Sequence, residues 1–130
     1  MLWMGDLPYS RRIKLSVFFH TPNPQKLLNL FNERIEQDEP KGRINTWERS
    51  QDKVYYTHKS DQWGRDAWFK PTIEKEGLRF NIIKPKSSNV SSEAYAYYHG
   101  HLTQTFLDHF DQQFNHAVSS ALPTPGDIVS

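Results

Sequence analysis

The stretch AYAYYHGHLTQTFLDHF, from Ala94 to Phe110, decides how the rest of this chain is arranged. Glu93–Tyr98 alternates small and aromatic side chains and reads as a strand. From about Gly100 to Val118 the period turns helical. At about 100° per residue, Leu102, Phe106, Leu107, Phe110, Phe114, Ala117 and Val118 fall in one arc, the expected buried stripe. His109 and His116 then sit at its rim, two turns apart and too distant to share a metal ion. On this reading Gly100 marks the corner where a strand becomes a helix.

His99 and His101 flank that corner. A zinc ion needs a third and usually a fourth ligand. The nearest acids, Glu93 and Asp108, stand at no recognised ligand spacing, so no metal is expected. A helix starting near Gly100 would present free backbone N–H groups and the positive end of its dipole. His99, Gly100 and His101 are therefore a candidate anion site. The plainer reading is a turn with two histidines hydrogen-bonded locally.

Outward from this corner, Arg11–His20 alternates with Ile13, Leu15, Val17 and Phe19 on one face, a half-buried strand. Thr21-Pro-Asn-Pro24 opens a helix, because Thr and Asn cap well and proline suits a first turn. Its apolar side carries Leu27, Leu28, Leu30, Phe31 and Ile35, and Pro40 and Gly42 end it. Arg43–Arg49 and Lys53–His58 flank Ser50-Gln-Asp52 as one hairpin. Ala67–Lys75 and Leu78–Lys84 flank Glu76-Gly77 as a second. Pro71 pushes its strand towards an edge or a bulge. Residues 1–10 read as an N-terminal extension and 119–130, with Pro123, Pro125 and Gly126, as an extended or mobile tail. The chain is expected to be a single α+β domain over 1–130, in the order β-α-β-β-β-β-β-α. Its mainly antiparallel curved sheet of five to six strands carries two amphipathic helices on one face.

The sequence contains no cysteine, which excludes disulfides, thiolate catalysis and cysteine-bound zinc. The start lacks a basic region followed by an apolar stretch, and no apolar run approaches the ~20 residues of a membrane span. A cytoplasmic, soluble protein without a membrane partner is expected. Charge is divided along the chain: residues 41–86 hold eleven Lys or Arg against six Asp or Glu, while residues 87–130 hold four acids and no Lys or Arg. The middle should draw an acidic partner, and the helical flanks should turn away from it.

No phosphate loop, nucleophile elbow, metalloprotease helix or calcium loop occurs, so no catalytic residue and no cofactor is assigned. Strand parity places Trp47, Arg49, Lys53, Tyr55, Trp68, Lys70 and Arg79 on the sheet face turned away from the helices. Aromatics mixed with cations have the composition of an interface core. The expected function is a small non-catalytic binding protein (an adaptor, an inhibitor or an immunity-type protein) holding an acidic protein partner on that face. Two alternatives stand beside it. The first is a nucleic-acid binder stacking bases on the same aromatics, although a pI near 8.0 is low for that class. The second is a small-ligand carrier with a pocket lined by Tyr95, Tyr97, Tyr98 and His99, or a metal-independent nuclease drawing on His20, His58 or His99.

Overall fold

The structure is a computed structural model and describes residues 16–130, so Arg11–Leu15 and the extension 1–10 lie outside the described residues. The elements are β1 (Val17–His20), α1 (Pro24–Glu36), β2 (Trp47–Arg49), β3 (Tyr56–His58), β4 (Trp68–Ile73), β5 (Gly77–Ile83), α2 (Ser92–Phe110) and β6 (His116–Ser119). The six strands form one antiparallel sheet in the order β2-β3-β4-β5-β1-β6. The α+β class with two helices and a curved antiparallel sheet agrees with the sequence reading. The element order differs at its end, where the last strand follows the last helix.

Two expectations about the decisive stretch are overturned together. Glu93–Tyr98 belongs to α2, which starts at Ser92 and runs for 19 residues. The Ser91 hydroxyl accepts the Ala94 N–H at 3.0 Å, and Glu93 lies in the first turn, where a negative charge suits the dipole. Tyr95, Tyr98, His99, Leu102, Thr105, Phe106 and Phe110 make one buried stripe with helical spacing. The alternation over residues 93–98 is thus the first turns of that stripe. Gly100 lies mid-helix on the exposed side and needs no turn conformation. The helix also stops at Phe110, eight residues before Val118. Phe114 leaves it to pack 5.2 Å from Phe19, and the Asn115 N–H donates to the His20 carbonyl at 2.8 Å, which leads the chain into β6 beside β1. His116 consequently stacks on His20 at 4.8 Å across the β1–β6 pair instead of flanking His109.

The core fills the sheet face that meets both helices. Register places Val17, Phe19, Tyr56, Phe69, Leu78, Phe80 and Ile82 on that face, all fully buried. Phe31 of α1 lies 4.9 Å from Tyr56 and 4.9 Å from Phe106 of α2, while Phe106 stacks on Phe19 at 4.1 Å. Both helices and the sheet therefore meet at Phe106. Gly77 is required at the start of β5, because a Cβ there would meet the Phe19 carbonyl oxygen at 2.3 Å. Pro71 is accommodated because β3 pairs with β4 at Tyr56↔Phe69, short of the proline.

The segment after β6 runs back along β5. Ile128 makes a parallel bridge with Ile83, its N–H donating to the Ile82 carbonyl at 2.9 Å while the Lys84 N–H donates to its own carbonyl at 2.7 Å. The Asp127 carboxylate accepts from the Asn81 amide at 2.8 Å, the Ile82 N–H at 3.0 Å and the Thr124 N–H at 2.8 Å.

Removing the ring at the meeting point of the layers should cost most. Phe106→Ala is expected to lower stability by about 3–5 kcal/mol. Leu107→Ala, at a position 51% exposed, should cost well under half of that. Urea melts of the two variants check the ranking; comparable losses would contradict the helix phase described here.

Candidate binding groove on the outer face of the sheet

Strand parity fixes what the outer face carries. Trp68 and Ile83 are directly opposed on β4 and β5, both turned away from the helices and partly exposed. Tyr55 precedes β3 by one residue and has the opposite parity to the buried Tyr56. It is fixed by the β2–β3 connection, where the Ser50 N–H donates to its carbonyl at 2.9 Å and its own N–H donates to the Ser50 hydroxyl at 3.0 Å. Together with Pro85, these aromatic and aliphatic groups line an open groove of about 550 Å³. Its cations are Arg65, Lys84 and Lys86, and among the described residues no acidic side chain lines it.

Two of these cations, Arg65 and Lys84, are positioned through their backbone N–H groups. Arg65 adopts a left-handed conformation, φ 63°, and its N–H donates to the Thr57 hydroxyl at 3.0 Å. That hydroxyl donates in turn to the Ala67 carbonyl at 2.7 Å and meets the Tyr98 phenol at 3.1 Å, so the loop before β4 rests on a buried polar network. The Arg65 guanidinium, 74% exposed, approaches the Glu48 carboxylate at 3.5 Å, a separation that leaves most of its donors unused. Lys84 is positioned by its N–H bond to Ile128.

The structure divides the expected site residues. Tyr55 and Trp68 come together in the groove, and Lys70 is exposed on the same face, opposite Asn81. Arg79 also lies on that face, opposite Thr72, but its side chain is 12% exposed and its guanidinium is paired with Glu74. Burial pushes its pKa down.

Trp47, Arg49 and Lys53 are corrections. Trp47 is 1% exposed on the helix side, and its indole N–H donates to the Thr105 hydroxyl of α2 at 3.0 Å. Arg49 shares that side: its guanidinium meets Glu36 of α1 at 2.8 Å and lies 5.6 Å from the Tyr56 ring centre. Lys53 sits in the hairpin connection with φ 66°, its ammonium 3.1 Å from Glu36. The cause is that β2 begins at Trp47 and β3 at Tyr56. Parity counted from Ile44 passes through residues that are not strand and slips by one, while Lys53 lies in the connection, where strand parity does not apply.

The histidine corner is also corrected. With α2 beginning at Ser92, no helix N-terminus lies at Gly100 to complete an anion site. His99 is 3% exposed, its Nδ1 bonded to the Tyr95 carbonyl at 2.7 Å and its Nε2 to the Ser16 hydroxyl at 2.8 Å. His101 stacks on Tyr97 at 5.3 Å and stands 4.3 Å from His58. A second space, of about 560 Å³, lies beside Tyr95, His99 and Gly100 under residues 119–123, but Tyr97 and Tyr98 do not line it. The Tyr95 phenol there already bonds the Leu122 carbonyl at 2.9 Å. Among the described residues, no group of three or more His, Asp or Glu is placed to hold a metal ion. Nor is any helix among them long and apolar enough to cross a membrane.

Arg65, Lys84 and Lys86 were not singled out from the sequence. Lys84-Pro-Lys86, directly after the strongest strand pattern, is the signal that could have marked two of them. No protein-family model matches this chain, and no curated protein or solved structure proves similar to it.

The buried histidines predict a pH dependence. Desolvation, reinforced by the neighbouring His101, lowers the pKa of His58 from 6.5 to about 4. Burial also lowers those of His99, His101 and His109. In the unfolded chain a histidine takes up its proton near pH 6.5, so between about pH 6.5 and 4 the unfolded state binds more protons. Stability must therefore fall as pH drops through that window. Urea melts should show this decline, with a shallower slope in His58→Gln. An unchanged slope in the variant would contradict the account of His58.

Proposed function

We propose that this protein is a small non-catalytic binding protein that holds an acidic segment of a protein partner in the outer-face groove. The observation that carries this reading is the juxtaposition of Tyr55, Trp68 and Ile83 with three cations and, among the described residues, no lining acid. An apolar or aromatic side chain of the partner would lie across Trp68 and Ile83, while acidic neighbours meet Arg65, Lys84 and Lys86. Aromatic anchors bordered by arginine or lysine supply most of the energy at such surfaces. A groove of about 550 Å³ admits a short segment of chain. The acid-rich segments support the same orientation, since both helices pack against the opposite face of the sheet.

Trp68→Ala should weaken partner binding by about 2 kcal/mol or more, roughly thirtyfold, without lowering the melting temperature appreciably. Lys84→Glu with Lys86→Glu should mainly slow association and flatten its salt dependence. The check is parallel affinity purification with wild-type and Trp68→Ala protein, followed by titration of the protein that the variant fails to retain. Titration with single- and double-stranded oligonucleotides near ~0.15 M salt distinguishes the nucleic-acid alternative. Micromolar or tighter binding there would overturn the protein-partner reading.

A further inference from the structure

The two ends of the sheet are unequal. At one, β2 is three residues long and carries Glu48 and Arg49. Short, charged edge strands resist pairing with another chain. At the other, β6 reads His116-Ala-Val-Ser119, mostly exposed, and residues 112–126 around it contain no Lys, Arg, Asp or Glu. Among the described residues no strand covers its outer side. Two of the exposed large hydrophobic residues also gather here, Val118 at 37% and Leu122 at 76%.

The ladder shows which backbone groups point outward. The Ser120 N–H donates to the Ser16 carbonyl at 2.8 Å, and Val118 stands opposite Phe18. Antiparallel strands alternate, so Val118 turns its N–H and C=O towards β1, whereas Ala117 and Ser119 turn theirs towards the open edge. An uncharged edge whose free donors and acceptors are two residues apart is complementary to itself. Placed antiparallel about a two-fold axis through Val118, Ala117 of one copy exchanges both backbone bonds with Ser119 of the other, and the reverse. Four hydrogen bonds result. Val118 then faces Val118 of the second copy in a non-hydrogen-bonded pair, the arrangement in which side chains lie closest.

We propose that β6 is a homodimer edge, joining two copies into one continuous twelve-stranded sheet with Val118 on the two-fold axis. The contact is small, so the dimer is a weak one, forming as concentration rises. It leaves the outer-face groove of each copy open, because the groove lies at β3–β5 and the sheet runs on through β1 before reaching β6.

Sedimentation of the full chain over a rising concentration series should show a monomer–dimer equilibrium. Ala117→Pro removes an N–H that β1 does not use, so the fold should keep its circular dichroism and melting temperature while the dimer is lost. A wild-type protein that stays monomeric at every concentration, or a folded Ala117→Pro protein that still dimerises, overturns the proposal. Cross-linking is the second measurement, and it stands whether or not the proline variant folds. The chain has no cysteine, so Val118→Cys introduces a single thiol. In the proposed register its Cα lies about 4.5 Å from its mate, within disulfide reach. Mild oxidation should give disulfide-linked dimers of Val118→Cys and not of the exposed outer-face control Thr72→Cys. Equal or absent cross-linking of the two overturns the register and with it the interface.

Discussion

The stack of Phe106 on Phe19 is the contact on which the remaining structure depends. It joins the middle of α2 to β1, the strand between β5 and β6, and the same Phe106 ring also touches Phe31 of α1 and Phe80 of β5. Once this contact is made, the phase of α2 and the parity of β1 are both fixed. The parity of every strand reached through the register from Val17↔Phe80 follows. A one-residue slip would exchange the two faces of the sheet. The aromatic content of the chain is therefore divided by a geometric constraint: rings of one parity become core, and rings of the other are left at the surface.

That division explains how neighbouring tryptophans come to have different roles. Trp47 fills the space under α2 and satisfies its indole N–H on Thr105, which a buried polar group requires. Trp68 has the other parity and joins Tyr55 on the outside, beside Arg65, Lys84 and Lys86. Charge follows the same partition. Arg49 and Lys53 turn towards Glu36 of α1 and share its single carboxylate, while the groove cations meet Glu48 alone among the described ion pairs.

Where the period was long and unbroken, the sequence was legible. β1, α1, the β4–β5 hairpin and the second half of α2 were readable from alternation or helical spacing. Trp68 and Lys70 were placed on the outer face by a parity counted through strand residues, and Tyr55 by its place beside the buried Tyr56. The failures have local causes. Ala94–Tyr98 satisfies both an alternating and a helical template, and Gly100 tipped the choice although it merely sits on the exposed side of a helix. Phe114, Ala117 and Val118 continue the helical arc by number, but the chain leaves the helix so that β6 can pair with β1. Trp47, Arg49 and Lys53 were misplaced because β2 and β3 are three residues each, too short for a period to outweigh a slip. Arg65 lies in a loop, where no periodicity speaks.

The division of the two faces can be observed through the tryptophan side chains themselves. Indole N–H groups give separate resonances in nitrogen-15 spectra, and their exchange with deuterated solvent reports hydrogen bonding and burial. The indole N–H of Trp47, bonded to Thr105 in the core, should persist for as long as the most protected backbone amides. That of Trp68 should be lost with the exposed amides. Rapid loss of the Trp47 signal with a protected Trp68 would mean that the faces are exchanged, and the groove as described here would not exist.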